Sequence, residues 1–185
     1  RVLAAAEAAL LLAHHADDQV ETILFNFLRG TGLTGLSGMK PSSSLGKLTL
    51  LRPLLGVPRL AIDAYIPGKR MAYREDRSNS SPEHTRNRLR HELLPQIERA
   101  VGPAFRQAIL RSSGILAEEN AFLESLVAPS SQELSCANLR EMPLALRRRA
   151  VLNWLRFHGI ADAGFAEVER ALSLLDPVAG PAKIN

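Results

Sequence analysis

The sequence predicts an α/β unit with a parallel sheet and flanking helices, followed by an all-helical unit, with the change near residues 95–103. Three observations carry this. Leu10-Leu11-Leu12-Ala13 is a short apolar run that suits a strand buried on both faces, and it leads directly into an amphipathic helix. Leu48-Thr49-Leu50-Leu51 repeats the strand character and is closed by Arg52-Pro53. Beyond Gly102-Pro103 only helical periodicity recurs.

Taken in order, Val2–Ala9 is alanine-rich and helix-prone. No Gly, Pro or Asn separates it from the strand, although a helix-to-strand reversal needs such residues, so a gap in the chain is expected near Ala8–Leu10. Val20, Ile23, Leu24, Phe27 and Leu28 then form one buried helical stripe that ends at Gly30. Residues 40–47 read as loop, Pro58–Ile66 as helix and residues 67–81 as polar, basic loop. A further helix starts at Ser81-Pro82-Glu83, with Ser as N-cap and Pro in the first turn. In the second part, Gly102-Pro103 opens a helical stretch to about Leu126, and Pro129–Gln132 is a linker. Pro143–His158 is a helix closed by Gly159, with Trp154 and Phe157 expected in the core. Asp162 is expected to cap a last helix that aligns Phe165, Val168, Leu172 and Leu175.

Composition narrows the function. The chain has 185 residues, 46% of them hydrophobic and 23% charged, enough for one good-sized globular domain or two small ones. A lone cysteine, Cys136, excludes an internal disulfide and a cysteine-built zinc site, which makes a reducing cytoplasm the expected compartment. No signal-like segment is present and no apolar run is long enough to span a bilayer, so no membrane partner is expected. A start at Arg1 rather than Met leads us to expect a fragment of a longer chain. Residues 1–100 hold 14 basic side chains against 10 acidic ones, whereas residues 101–185 hold nine of each. That imbalance favours a polyanionic partner on the first half.

The stretch "AHHADDQVE" sets His14, His15, Asp17, Asp18 and Glu21 at a strand-to-helix junction. Asp18 and Glu21 have the spacing of a capping box, with Asp18 as N-cap. Capping leaves Asp17 and the histidines unexplained, and three carboxylates within five residues repel one another unless a cation sits among them. The position, outside the carboxyl end of a strand, is where open α/β sheets bind ligands. "GTGLTG" (residues 30–35) matches the dinucleotide fingerprint in letters alone, since a helix precedes it where a strand is required. Gly30 reads instead as a helix C-cap and the other glycines as a tight loop close to the site. On the helix from Pro82, Arg86 and Arg90 share one face with Asn87 beside them, a geometry that can clamp a phosphate, while Leu89 and Leu93 line another face. Residues 69–90 carry seven basic side chains against three acidic ones. Arg147-Arg148-Arg149 reads as a solvated helix face, with RNA contact as the alternative. His84, His91 and His158 read as surface or packing residues.

"LAHHADDQVETILFNFLRGTGLTGLSGM", "LLRPLLGVPR", "REDRSN" and "RNRLRHELLP", in this order, closely resemble the tRNA(Ile)-lysidine synthase family of the PP-loop (N-type ATP pyrophosphatase) superfamily. The resemblance implies a Rossmann-like PP-loop ATPase domain whose C-terminal portion is residues 1–97, then a helical, tRNA-binding middle domain over residues 98–185. It implies an enzyme that uses ATP to adenylate the C2 carbonyl oxygen of the wobble cytidine of the isoleucine tRNA with a CAU anticodon. Free lysine then displaces AMP to give lysidine. Asp18 and Glu21 would hold lysine and take its proton. His14, His15 and Asp17 would shape the pocket and face ATP or Mg²⁺. Arg29, Arg86, Asn87 and Arg90 would hold phosphates of ATP or tRNA. The family's glycine- and serine-rich phosphate loop does not occur in this sequence, and neither does its C-terminal domain, so this chain by itself is not expected to bind ATP normally or to be active. Two other readings are a metal-dependent phosphohydrolase built on His14, His15, Asp17 and Asp18, and a non-catalytic RNA-binding module using the basic helix alone.

Overall fold

A computed structural model describes residues 9–68, 85–128, 133–160 and 162–175. The expectations for Val2–Ala8, Lys69, Arg70, Arg74, Arg77, the helix start at Ser81, His84 and Pro129–Gln132 lie outside them. The chain divides into two compact units, residues 1–120 and 121–185.

In the first unit β1 (Ala9–Leu11) runs parallel to β3 (Leu48–Leu51), and β2 (Ser42–Leu45) pairs antiparallel on the other side of β3. Mixed α/β architecture is therefore borne out. Two sequence expectations are corrected here. Residues 42–45 are an edge strand rather than loop: the register Leu45↔Leu48 leaves a two-residue hairpin turn, and Gly46 supplies its positive φ of 59°. Three serines suit this mostly exposed edge, where backbone pairing is joined by an Arg52 guanidinium that donates to Ser43 Oγ at 3.0 Å. Nor is β1 buried on both faces, since Leu11 is 69% exposed and all three residues are open. Burial of a parallel strand needs covering layers on both sides, and among the described residues β1 is not covered in that way.

Helix α1 (Ala16–Leu28) starts where the Ala16 N–H bonds to the Val57 carbonyl at 3.0 Å. Its apolar stripe is only half buried: Val20 and Ile23 are inside, while Phe27 and Leu28 are exposed. Arg29 is the C-cap and Gly30 follows at φ 74°, as the C-cap reading expects. The glycine loop is pinned back on α1. Buried Gln19 accepts from Met39 N–H at 2.8 Å and donates to its carbonyl at 3.0 Å, and Asn26 donates to the Gly35 carbonyl at 2.9 Å. The short helix α2 (Leu33–Leu36) sits within this loop, and α3 (Arg59–Gly68) follows β3.

Next, α4 (Thr85–Arg88), a π-helical turn (Leu89–Leu93) and α5 (Leu94–Val101) form one continuous rod. Pro95 has no N–H to return to the His91 carbonyl, and just before it the Leu94 N–H reaches back five residues to the Leu89 carbonyl. The inserted residue shifts the buried face. The four-residue spacing expected Leu89 with Leu93, but the structure buries Leu89 with Leu94, which is wholly inaccessible. Val20, Leu89, Leu94 and Phe105 form the core, joining α1, the rod and α6 (Phe105–Ser125).

The second unit begins within α6 and contains α7 (Cys136–Glu141), α8 (Leu144–Phe157) and α9 (Phe165–Ser173). Its core is Leu139, Ala150, Val151, Leu155, Ala163, Val168 and Leu175, with Trp154 packed against it and Phe157 exposed. Gly164, not Asp162, is the N-cap of α9, and Glu167 accepts its N–H at 2.9 Å. The arginine run is held within the unit. Arg147 donates to the Arg140 and Met142 carbonyls, Arg148 pairs with Glu169 at 2.6 Å, and Arg149 pairs with Glu124 at 2.5 Å.

Candidate functional site

The site forms at the first turn of α1, just past the carboxyl end of β1. His15, with extended backbone, is the N-cap: its Nδ1 accepts the Asp18 N–H at 3.4 Å, and Asp18 Oδ2 accepts the His15 N–H at 3.0 Å. The capping box is thus His15–Asp18 rather than Asp18–Glu21. The helix starts three residues earlier than expected because Val57 receives the Ala16 N–H, which leaves Asp18 in the third helical position.

That shift places Asp18 and Glu21 one turn apart, facing the rod. Arg90, on the π-helical turn, donates from Nε to Glu21 Oε1 at 2.5 Å and from Nη2 to Glu21 Oε2 at 2.9 Å. The same Nη2 reaches Asp18 Oδ1 at 2.7 Å. Glu21 is 2% exposed, and a carboxylate at that depth requires such a partner. Its hydrogen bond and charge hold the Arg90 guanidinium above its already high ordinary value, against the opposing effect of burial. Arg90 is a fixed cation. Arg86 adds a second guanidinium, with Nε 3.7 Å from Glu21 Oε2 and Nη2 donating to Thr22 Oγ1 at 2.6 Å.

Asp17 turns towards the starts of α3 and α6. Its Oδ2 accepts the backbone N–H of Arg59 at 2.8 Å, and its Oδ1 accepts from Arg106 Nη1 at 3.0 Å. The repulsion among the three carboxylates is therefore relieved by arginines of this chain. An open cleft of about 280 Å³ lies here, lined by His15, Asp17, Glu21, Arg59, Arg90, Leu94 and Arg106.

The predicted residues are not all gathered. His15, Asp17, Asp18, Glu21, Arg86 and Arg90 converge, and half-buried Asn87 lies on α4 between the two arginines in sequence. His14 precedes the cap, and its Nδ1 is buried without a hydrogen-bond partner among the described residues. Arg29 is exposed at the far end of α1, about 16 Å along the axis from Asp18, with its guanidinium 5.2 Å from the Phe25 ring. Arg59 and Arg106 escaped the sequence reading. Their only signal is contact across 42 and 89 residues, which spacing along a helix does not reveal.

Among the described residues no group of three or more His, Cys, Asp or Glu side chains is disposed to hold a metal ion. Of His14, His15 and Asp17, expected to face ATP or Mg²⁺, His15 accepts the Asp18 N–H as helix cap and Asp17 is engaged by the Arg106 guanidinium, while Asp18 and Glu21 are engaged by Arg90. These residues do not fit a Mg²⁺ ion. Nor is any helix among the described residues long and apolar enough to cross a membrane.

A family profile described as a PP-loop domain matches residues 1–97. Curated relatives include the tRNA(Ile)-lysidine synthase of Alkalilimnicola ehrlichii, 39% identical over 171 residues, covering 89% of this chain and 38% of that protein. The tRNA(Ile)-lysidine synthase of Geobacter sulfurreducens is 40% identical over 149 residues, covering 75% of this chain and 31% of its own length. That of Thermosynechococcus vestitus is 34% identical over 174 residues, covering 90% and 51%. The chain spans between about a third and a half of these relatives.

Proposed function

This chain belongs to the PP-loop domain family, and from that premise we propose that it is part of an ATP-dependent tRNA-modifying ligase that joins lysine to C2 of the wobble cytidine of the isoleucine tRNA with a CAU anticodon. Residues 1–97 would be the C-terminal portion of its catalytic domain and residues 98–185 a helical, tRNA-binding domain, acting in the cytoplasm. The C2 oxygen takes the adenylyl group of ATP as the α–β phosphoanhydride bond breaks and pyrophosphate leaves, which turns that oxygen into a good leaving group. The lysine ε-amine then attacks C2, and AMP departs with the former C2 oxygen.

The observation that carries this reading is the acidic pair Asp18 and Glu21 gripping one shared cation, the Arg90 guanidinium. A pocket that already binds a side-chain cation has the charge and geometry to take lysine's ammonium. Asp18 is the better placed to accept the proton that the attacking amine loses, being less deeply buried than Glu21. An incoming ammonium must displace Arg90, which frees that guanidinium for a phosphate. Arg86 and Arg90 would thus hold ATP or anticodon phosphates with Asn87 beside them, and His14, His15 and Asp17 would shape the pocket. Arg29, remote from the cleft, would meet only tRNA backbone. The glycine-serine loop that wraps ATP in the family is not part of this sequence, and no step is routed through Mg²⁺.

The test is ATP-dependent transfer of labelled lysine to this tRNA by the complete protein. Asp18→Asn should cut transfer steeply through a raised KM for lysine, with tRNA binding largely kept. A non-catalytic RNA-binding module would show no transfer at all.

A further inference from the structure

Arg106 has no part in the proposed chemistry, and yet it reaches the first turn of α1 from 89 residues away. Its Nη1 donates to Asp17 Oδ1 at 3.0 Å, its Nη2 to Glu98 Oε2 at 3.3 Å, and its guanidinium carbon lies 5.3 Å from the centre of the Phe105 ring. Phe105 itself is buried against Val20 and Leu94, so the arginine rises from a fixed base. The other oxygen of Asp17 is taken by the Arg59 backbone N–H. Asp17 is therefore gripped from two directions, by the start of α3 and by the start of α6.

What this grip controls follows from helix geometry. Neighbouring residues point about 100° apart around an α-helix, so any rotation of the first turn that moves Asp17 moves Asp18 and Glu21 with it. The His15–Asp18 box fixes the turn internally but does not fix its orientation towards the rest of the unit. Asp17 shares that task with the Ala16 N–H bond to Val57 and with Arg90, and Arg106 is the side-chain anchor of Asp17. An ion pair with both side chains 27% exposed adds little to stability, which leaves orientation as its consequence.

We propose that Arg106 is a positioning residue of the substrate site: through Asp17 it sets where Asp18 and Glu21 point, and so governs affinity for the amino acid without touching it. This rests on the reading of Asp18 and Glu21 as the lysine site.

The experiment is steady-state kinetics of lysine transfer by the complete protein. Arg106→Gln should raise KM for lysine about tenfold, with kcat changed less than threefold and with KM for ATP and affinity for tRNA within twofold. Arg106→Lys, which keeps a cation opposite Asp17, should restore KM to within threefold of the parent. If Arg106→Gln does not fold, Arg106→Met, which keeps the stem beside Phe105, replaces it under the same thresholds. An unchanged KM for lysine, or losses spread equally over lysine, ATP and tRNA, overturns the proposal. Asp18→Asn separates the two failures. If it raises KM for lysine while Arg106→Gln does not, only the role of Arg106 falls. If Asp18→Asn leaves KM unchanged, the lysine site falls and the role of Arg106 with it.

Discussion

Replacing Arg90 by Met keeps the stem beside Leu94 and removes the guanidinium, so it isolates what that cation contributes. Three hydrogen bonds disappear, two to Glu21 and one to Asp18. Glu21, 2% exposed, is left with only the 3.7 Å approach of Arg86. Breaking a buried pair by removing one partner costs about 3–5 kcal/mol, because the other charge stays behind without compensation. The Arg90 side chain is 34% exposed, so water screens its outer part and brings the loss below that range, to about 2–3 kcal/mol. Urea unfolding of the chain, followed by circular dichroism at neutral pH, reads this directly. For a protein of this size the same loss lowers Tm by roughly 5–10 °C. Adding Glu21→Gln to Arg90→Met should recover about 1–2 kcal/mol, since the uncompensated charge is gone. A loss below about 1 kcal/mol for the single variant, or no recovery in the double, would refute the view that Glu21 depends on Arg90.

The π-helical register predicts that Leu94→Ala costs about 2–5 kcal/mol while Leu93→Ala, at 36% exposure, costs under about 1 kcal/mol in the same unfolding assay. Equal losses would mean that the rod is an ordinary α-helix. In the second unit, the Gly164 N–H holds the Glu167 carboxyl below its ordinary range, and Arg148 does the same for Glu169. Carboxyls depressed in the folded state stabilise it above their unfolded pKa, and that contribution is lost as pH falls through the folded values. Tm followed from neutral to acidic pH should therefore fall less steeply in Glu167→Gln and Glu169→Gln than in the parent; parallel curves would count against both contacts.

What the sequence could say follows from the range of each interaction. Gly30 as a helix end and Gly159 as another were legible because a positive φ at a helix terminus is a local requirement with a local residue signature. The Ser42–Leu45 strand was not, because its pairing with β3 rests on backbone groups that every residue carries. The exchange of Leu93 for Leu94 was hidden for a subtler reason. A proline is a helix-stop signal in sequence, and here the chain absorbs it with one π-helical turn and continues. Asp18 as N-cap failed because the true helix start is set by Val57, 41 positions downstream of Ala16, and an imidazole served where a shorter acceptor was expected.

The two sets of candidate residues, acids for an amino acid and arginines for phosphates, read in sequence as two separate sites. In the fold Asp18, Glu21, Arg86 and Arg90 are one cluster, with Arg29 left apart. Opposite charges on α1 and on the rod lie within salt-bridge reach, and each satisfies the desolvation cost of the other. A ligand of either sign then competes with a group of the protein. On the proposed function, a cation arriving at Asp18 and Glu21 would release Arg90, while an anion drawing Arg90 away would open the acidic pair. Because both moves break the same contacts, a ligand that makes one of them spares the other ligand that cost. Thermodynamic linkage makes the benefit reciprocal: whatever factor a phosphate adds to the affinity for an ammonium, the ammonium returns to the phosphate. A ligase that must bring a cationic amine to a phosphorylated partner gains from such coupling, and it needs no element to move further than one arginine side chain can swing.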